Sequence, residues 1–237
     1  MDAITIFFIV ILYSFIQSIS GVGILLFGTP TLLLLDYSFI NALWILLPVS
    51  CALSITQIVT SIKEIDSHKE VYLFTLPALV ISLMIVISFD YLLNIKALIG
   101  LMLIVISITR FSNLSLDRFD KAIRKNKTLG YVLIGITHGF TNLGGAPLSV
   151  IVSSIHSKNT KITTNIAFCY FILALSQLII LSLFQREFFD YKYLVLIPFV
   201  ISNFLLLKRY LIKDLNTKFF KLFMNIIILM FGIACII

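Results

Sequence analysis

The sequence predicts an all-α integral membrane protein of about eight transmembrane segments, built as two four-segment repeats with a broken first helix in each. Three observations predict it. Hydrophobic residues make up 60% of the 237 and charged residues 12%, against roughly 25% charged in soluble domains, and the mean hydropathy is +1.10. Charge-free runs cover 3–35, 37–62, 71–89 and 162–185, where about 20 apolar residues suffice to cross a bilayer. Short motifs recur along the chain at nearly constant spacing.

Charges and turn formers divide the chain into apolar segments over 3–35, 37–62, 71–89, 92–110, 128–156, 162–185, 191–208 and 219–237. No Lys or Arg precedes the first run and no small-residue cleavage site follows it, so a removable signal peptide is not expected. The fourth, seventh and eighth segments are short, and Lys96, Lys208 and Lys221 are expected to reach the interface from within them. The connection SNLSLDRFDKAIRKNKT (112–128) sets Leu114, Leu116, Phe119, Ala122 and Ile123 among five basic residues. It reads equally as an amphipathic helix on the membrane surface or as a solvated loop. The division is therefore 1–111, a first membrane repeat; 112–127, a basic amphipathic connection; and 128–237, a second repeat.

The repeat rests on four ordered matches. YLFTLP with Pro77 recurs as YLVLIP with Pro198, and Leu93-Asn94-Ile95-Lys96 as Leu215-Asn216-Thr217-Lys218. Gln57 recurs as Gln177, and Pro30 of GTPTLLLL as Pro147 of GAPLSVIV. Transporters commonly bind substrate between such repeats near the bilayer midplane. Four crossings per half would make the repeats parallel; a re-entrant hairpin in place of the first segment would leave three crossings and make them inverted. With eight full crossings, connections on the side of the termini hold ten Lys or Arg against eight opposite. The basic central connection then favours placing both the connection and the termini in the cytoplasm.

Eight of the ten glycines lie in two places, the first and fifth segments. A straight helix over 3–35 would be about 50 Å long, well beyond the roughly 30 Å hydrocarbon core. The poor helix formers of SGVGILLFGTP (20–30) mark the break, with Pro30 starting the next short helix. NLGGAP breaks the fifth segment, with Pro147 in the first turn of a new helix, where a missing amide hydrogen costs nothing. Irregular backbone at membrane depth is tolerated only where protein buries it or a wet cavity lies beside it. A half-helix starting there aims unpaired N–H groups at an occupant, which is an anion site without charged side chains. Amides near Gly21, Gly23, Gly144 and Gly145 would hold the anion. Close helix packing accounts for the same glycines in another way, Gly135 and Gly139 forming a GxxxG pair.

His138 is the one conventional ionisable side chain well inside an apolar segment, a functional candidate by default. A neutral imidazole there could donate to a substrate oxygen, relay a proton, or simply bond a neighbouring helix. Thr141 and Asn142 stand beside it as side-chain donors, and Gln17, Gln57 and Gln177 are polar cavity candidates that serve equally well as interhelical hydrogen bonds. Cys51, Cys169 and Cys235 fall in apolar segments and read as small buried hydrophobes. The net charge of +7 sits in connections and suits lipid headgroups rather than nucleic acid.

GITHGFTNLGGAPLSVIVSS resembles the second signature of the sulfite exporter TauE/SafE family, and SGVGILLFGTPTLLLL the first. Chain length, segment number, basic central connection and repeat agree over nearly the whole chain. The resemblance implies a bacterial or archaeal cytoplasmic-membrane carrier of small sulfur-containing anions such as sulfite, sulfonates or sulfoacetate, other organic acids being handled by some members. Two positions depart from the pattern. Gly23-Ile24-Leu25 stands where a triple glycine is frequent, and only Lys161 supplies a basic residue early in the sixth segment.

The function expected is thus a secondary carrier, an exporter by the resemblance, with a site made of Gly21, Gly23, Pro30, His138, Gly139, Thr141, Asn142, Gly144, Gly145 and Pro147. Its partners are a small anion and the lipid bilayer, without cofactor or metal; proton or ion coupling and homo-oligomer formation stay open. A membrane enzyme using His138 lacks a partner set of Asp, Glu or metal-spaced His and Cys. A non-transporting membrane subunit or a carrier of another small organic acid is the alternative.

Overall fold

The computed structural model of the chain describes residues 3–66, 68–89, 92–111, 126–210 and 217–237; the amphipathic helix expected over 112–128 falls almost entirely outside them. Ten α-helices are described: α1 (Ala3–Ser20), α2 (Ile24–Leu34), α3 (Phe39–Val59), α4 (Leu76–Phe89), α5 (Ile95–Phe111), α6 (Lys127–Thr141), α7 (Gly145–Ile155), α8 (Asn159–Phe184), α9 (Leu196–Tyr210) and α10 (Thr217–Ile236). Five helical stretches, Ala3–Ser20, Phe39–Val59, Val71–Phe89, Asn159–Phe184 and Tyr191–Arg209, are long and apolar enough to cross a membrane. Leu101, Val105 and Ile108 of α5 and Phe8 and Leu12 of α1 are exposed, an apolar exterior suited to lipid contact.

The order of elements from α1 to α5 recurs from α6 to α10. Even the irregular turns recur: a π turn at Val71–Thr75 leads into α4 and a 3₁₀ run at Tyr191–Val195 into α9. Pro77 and Pro198 stand just after these turns, and each lacks the amide hydrogen that a regular preceding turn would use.

Neither first segment continues across its break. A Cβ on Gly23 would stand 2.6 Å from the Tyr13 carbonyl, and Tyr13 also stacks on Phe27 at 5.7 Å and bonds the Thr31 hydroxyl at 2.8 Å. In a continued helix residues 13 and 23 would lie about 15 Å apart, so α2 runs back along α1. Likewise a Cβ on Gly144 would meet the Ile134 carbonyl at 2.9 Å, so α7 runs back along α6. Each break is the tip of a helical hairpin. The returning helices α2 and α7 have 11 residues each, about 16 Å or half the hydrocarbon thickness.

Helices in corresponding places run antiparallel. Trp44 Nε1 near the start of α3 donates to the carbonyl of Gln185 just past α8 at 2.9 Å, and Asn165 Nδ2 near the start of α8 donates to the Glu64 carbonyl past α3 at 2.8 Å. In α5 and α10, Gly100 faces Gly232, while Ser107 and Asn225 exchange hydrogen bonds of 3.2 Å. The outer pairs instead run parallel: α4 beside α6 through Thr75–Tyr131 and Ser82–Gly139, and α1 beside α9 through Phe7–Phe199 and Ser14–Asn203. A two-fold axis along the helices would leave corresponding helices parallel. The antiparallel pairs observed do not fit that arrangement.

This changes the side count. With each first segment folded back, the chain termini lie at one end of the helices and the ends flanking the central connection, Phe111 and Asn126, at the other. Termini and connection therefore do not share a side, as counting eight full crossings expects. Among the described residues, every Lys and Arg except Lys96, Arg186 and Lys192 belongs to a connection or helix end at the connection end. Lys208 reaches there as expected of an interfacial lysine, donating to the Thr60 carbonyl at 3.0 Å.

Candidate functional site

The two hairpin tips are built alike. Each outgoing helix ends on a left-handed residue, Gly21 at φ 80° and Asn142 at φ 63°, a conformation that Gly and Asn accept most readily. Gly21 N bonds the Gln17 carbonyl at 2.9 Å and Asn142 N the His138 carbonyl at 2.8 Å. From the neighbouring long helices, Gln57 Nε2 of α3 donates to that same Gln17 carbonyl at 3.2 Å, and Gln177 Nε2 of α8 to the His138 carbonyl at 3.4 Å. The tips meet in the interior, where Asn142 Nδ2 donates to Thr29 Oγ1 of α2 at 2.9 Å.

Chemically the tips differ. Gln17 Oε1 accepts from the amide of Ile24 at 3.1 Å, so the first turn of α2 is capped from within the chain. At the corresponding place stands His138, fully buried, its ring nitrogens making no close hydrogen bond although the Gln177 side chain stands beside the ring, and among the described residues no side chain caps α7 as Gln17 caps α2. Around this open end gather the Tyr170 hydroxyl, Asn142 Oδ1 and Gln177 Oε1, all fully buried and without partners. Buried polar atoms are bonded in the great majority of cases; among the described residues, five unpartnered ones belong to residues of this tip and its neighbour α8, against Gln57 Oε1 and Ser50 Oγ at the corresponding places of the first half. Tyr170 lies 5.8 Å from the His138 ring, centroid to centroid. A Cβ on Gly145 would come within 2.2 Å of its ring. Because Thr29 can donate as well as accept, the Asn142 carboxamide can turn either its oxygen or its NH₂ toward the open end.

The other expected residues fall in varied places. Pro30 does not start α2; it lies in its second turn, because Gly21 to Gly23 alone reverse the chain. Pro147 is the third residue of α7, in its first turn. Gly139 faces α4, where a Cβ would meet Ser82 Cβ at 2.5 Å and the Leu79 carbonyl at 2.7 Å, so with Gly135 it serves close helix contact. The Thr141 hydroxyl donates to the Thr137 carbonyl and accepts from Leu143 N, which closes the tip. Tyr170, Thr29 and Ser50 are absent from the expected set. Ser50 occupies in α3 the place of Tyr170 in α8, and its buried hydroxyl also lacks a partner.

Hollows open at both ends. Trp44, Ser182, Arg186 and Phe189 form one. Asp66, His68, Glu70, Lys127, Tyr131 and His156 are among the residues of the other, at the connection end. There Asp66 pairs with His156 Nε2 at 3.1 Å and Lys161 Nζ at 3.0 Å. The Lys161 ammonium bonded to it holds the Asp66 carboxyl below the usual carboxylate range.

A profile of the family described as sulfite exporter TauE/SafE matches residues 6–235. The chain belongs to that family. As a TauE/SafE protein it is a multi-pass membrane transporter of the sulfite-exporter type, and its hairpin tips coincide with the two stretches that resemble the family signatures. No curated protein and no solved structure matches the chain.

Proposed function

We propose that this TauE/SafE protein is a secondary carrier that exports a small sulfur-containing anion, such as sulfite, a sulfonate or sulfoacetate, through a site near the bilayer midplane at the start of α7. The observation that carries the reading is the convergence of His138, Tyr170, Asn142 and Gln177, buried and with unpartnered polar atoms, on a helix start that no side chain caps. The amides of Gly144 and Gly145 and the positive end of α7 favour negative charge there. Gly145 keeps the backbone open to the Tyr170 ring, while Gly21, Gly23 and Pro147 shape the two tips. Gln17 and Gln57 hold the first tip as a fixed, self-capped mate.

In this reading the eight segments are two inverted repeats, each a re-entrant hairpin followed by three crossings. The basic end faces the cytoplasm of a bacterial or archaeal cell membrane, as the excess of Lys and Arg favours. Both chain termini then lie outside.

The test is efflux and counterflow of labelled sulfite and sulfoacetate in proteoliposomes. Saturable flux of one of them, lost in Tyr170→Phe with His138→Gln, is the expected result. Flux of neither, with flux of an unrelated neutral solute, would sink the anion reading.

A further inference from the structure

We infer that anion binding at the start of α7 is coupled to uptake of one proton by the imidazole of His138, making the protein a proton–anion cotransporter. The inference rests on the proposed anion site and adds its charge balance. An anion that enters a fully buried site leaves its hydration behind, and dipoles alone compensate poorly for that loss. A cationic partner makes up the difference, and the surroundings offer one candidate.

Titratable groups around His138 are few. The helices α2, α4 and α7 carry none in their described spans. From α8 come Tyr170 and Cys169, acids whose ordinary titration lies above neutrality and which can supply no positive charge. Lys127 and Tyr131 of α6, Lys161 of α8, and Asp66, His68, Glu70 and His156 stand at the connection end around the outer hollow, Lys161 being held by Asp66. Lys96 and Arg110 lie at the two ends of α5. His138 is thus the base that can accept a proton beside the uncapped end of α7, with neither ring nitrogen in a close hydrogen bond and the unpartnered Gln177 Oε1 at hand to accept from the imidazolium.

The contrast between the two tips points the same way. Gln17, which holds the place of His138 in the first tip, spends its side-chain oxygen on the Ile24 amide. A glutamine fits that backbone and bonds the helix start without any change of charge. Where the chain keeps a histidine instead, the helix start is left for another ligand, and a proton can arrive with it. The step is simple: solvent supplies H⁺, an imidazole nitrogen takes it as the anion enters, and both leave together on the other side.

The experiment is calorimetric titration of the solubilised full-length protein with methanesulfonate, a monoanion that does not itself titrate near neutrality. Titration in two buffers of different ionisation enthalpy counts protons taken up per anion, and repetition from about pH 6 to about pH 8 spans the ordinary histidine range. Wild type is expected to take up close to one proton at the upper end, its affinity falling there by roughly tenfold per pH unit. His138→Gln, which copies the first tip and can cap α7 itself, is expected to lose most of the wild-type affinity, and what binding remains is expected to show neither uptake nor pH dependence. Wild-type binding with no proton uptake at any pH overturns the coupling and leaves the anion site standing, whether or not the variant folds. Uptake that persists in a folded His138→Gln protein also overturns it. Absence of methanesulfonate binding by wild type overturns the anion site and the coupling together.

Discussion

The carboxamide of Asn142 bonds the hydroxyl of Thr29 at 2.9 Å, joining the tip of the second hairpin to the returning helix of the first. It is a direct polar link between the two hairpins, and both residues are fully buried. Asn142 also holds the left-handed position that Gly21 holds in the first tip, so its backbone and side-chain roles can be separated. Asn142→Gly keeps the backbone conformation and loses one neutral hydrogen bond. Its stability should fall by only about 1 kcal/mol, while transport is lost. Asn142→Ala adds left-handed strain of roughly 1–2 kcal/mol and should melt clearly lower. Thermal melts of both variants beside flux measurements check this; full transport by Asn142→Gly would remove the side chain from the site.

Gly145 gives a steric prediction. A Cβ there would enter the Tyr170 ring at 2.2 Å, and overpacking of this kind destabilises by roughly 1–3 kcal/mol. Gly145→Ala should therefore destabilise the protein, and when it is combined with Tyr170→Ala, itself costly at a fully buried position, the total loss should be smaller than the sum of the two. Transport should stay absent in the double variant, since the phenol belongs to the proposed site. Additive destabilisation in the double variant would contradict the contact.

Much of this site was legible in the chain before its fold was known. Gly and Pro clusters located both breaks, because poor helix formers concentrated inside a long apolar run interrupt the helix that the run would otherwise form. The direction of the chain after each break was not legible: a kinked helix and a hairpin need the same glycines, and the difference lies in the contact of Gly23 with Tyr13. That ambiguity also hid the charge asymmetry, since the first hairpin moves the connections between it and the second hairpin to the other side. Pro30 misled because a proline inside a short helix forfeits a single backbone hydrogen bond, a loss that transmembrane helices tolerate. Tyr170 reads as an ordinary core aromatic; only its alignment with Ser50 under the repeat shift marks it as a position that carries a hydroxyl twice.

Orientation can be checked by labelling. Lys127 and Tyr191 are exposed at opposite ends of the helices, and the native Cys51, Cys169 and Cys235 are buried. In intact cells an impermeant thiol reagent should label Tyr191→Cys and leave Lys127→Cys unlabelled until the membrane is opened. The reverse pattern would place the basic end outside.

The connection-end network responds to acid with a definite sign. Lys161 holds the Asp66 carboxyl below its ordinary range, so the network's contribution is present above that range and is lost as pH falls through the lowered value. Hydrogen exchange of the segment after α3 should be unchanged from about pH 7 to about pH 5 and should accelerate below about pH 4, after correction for intrinsic rates. Asp66→Asn should show the faster exchange already at neutrality. Equal exchange in both proteins at neutrality would show that the pairs do not hold the segment.

The most direct measurement of the central claim is the anomalous diffraction of crystals soaked with selenite, a heavier analogue of sulfite. A selenium peak beside the start of α7, within hydrogen-bond reach of His138, Tyr170 and the Gly144 and Gly145 amides, is the result predicted here. Selenium found only in the outer hollows, in protein that transports selenite, would contradict a midplane site between the hairpin tips.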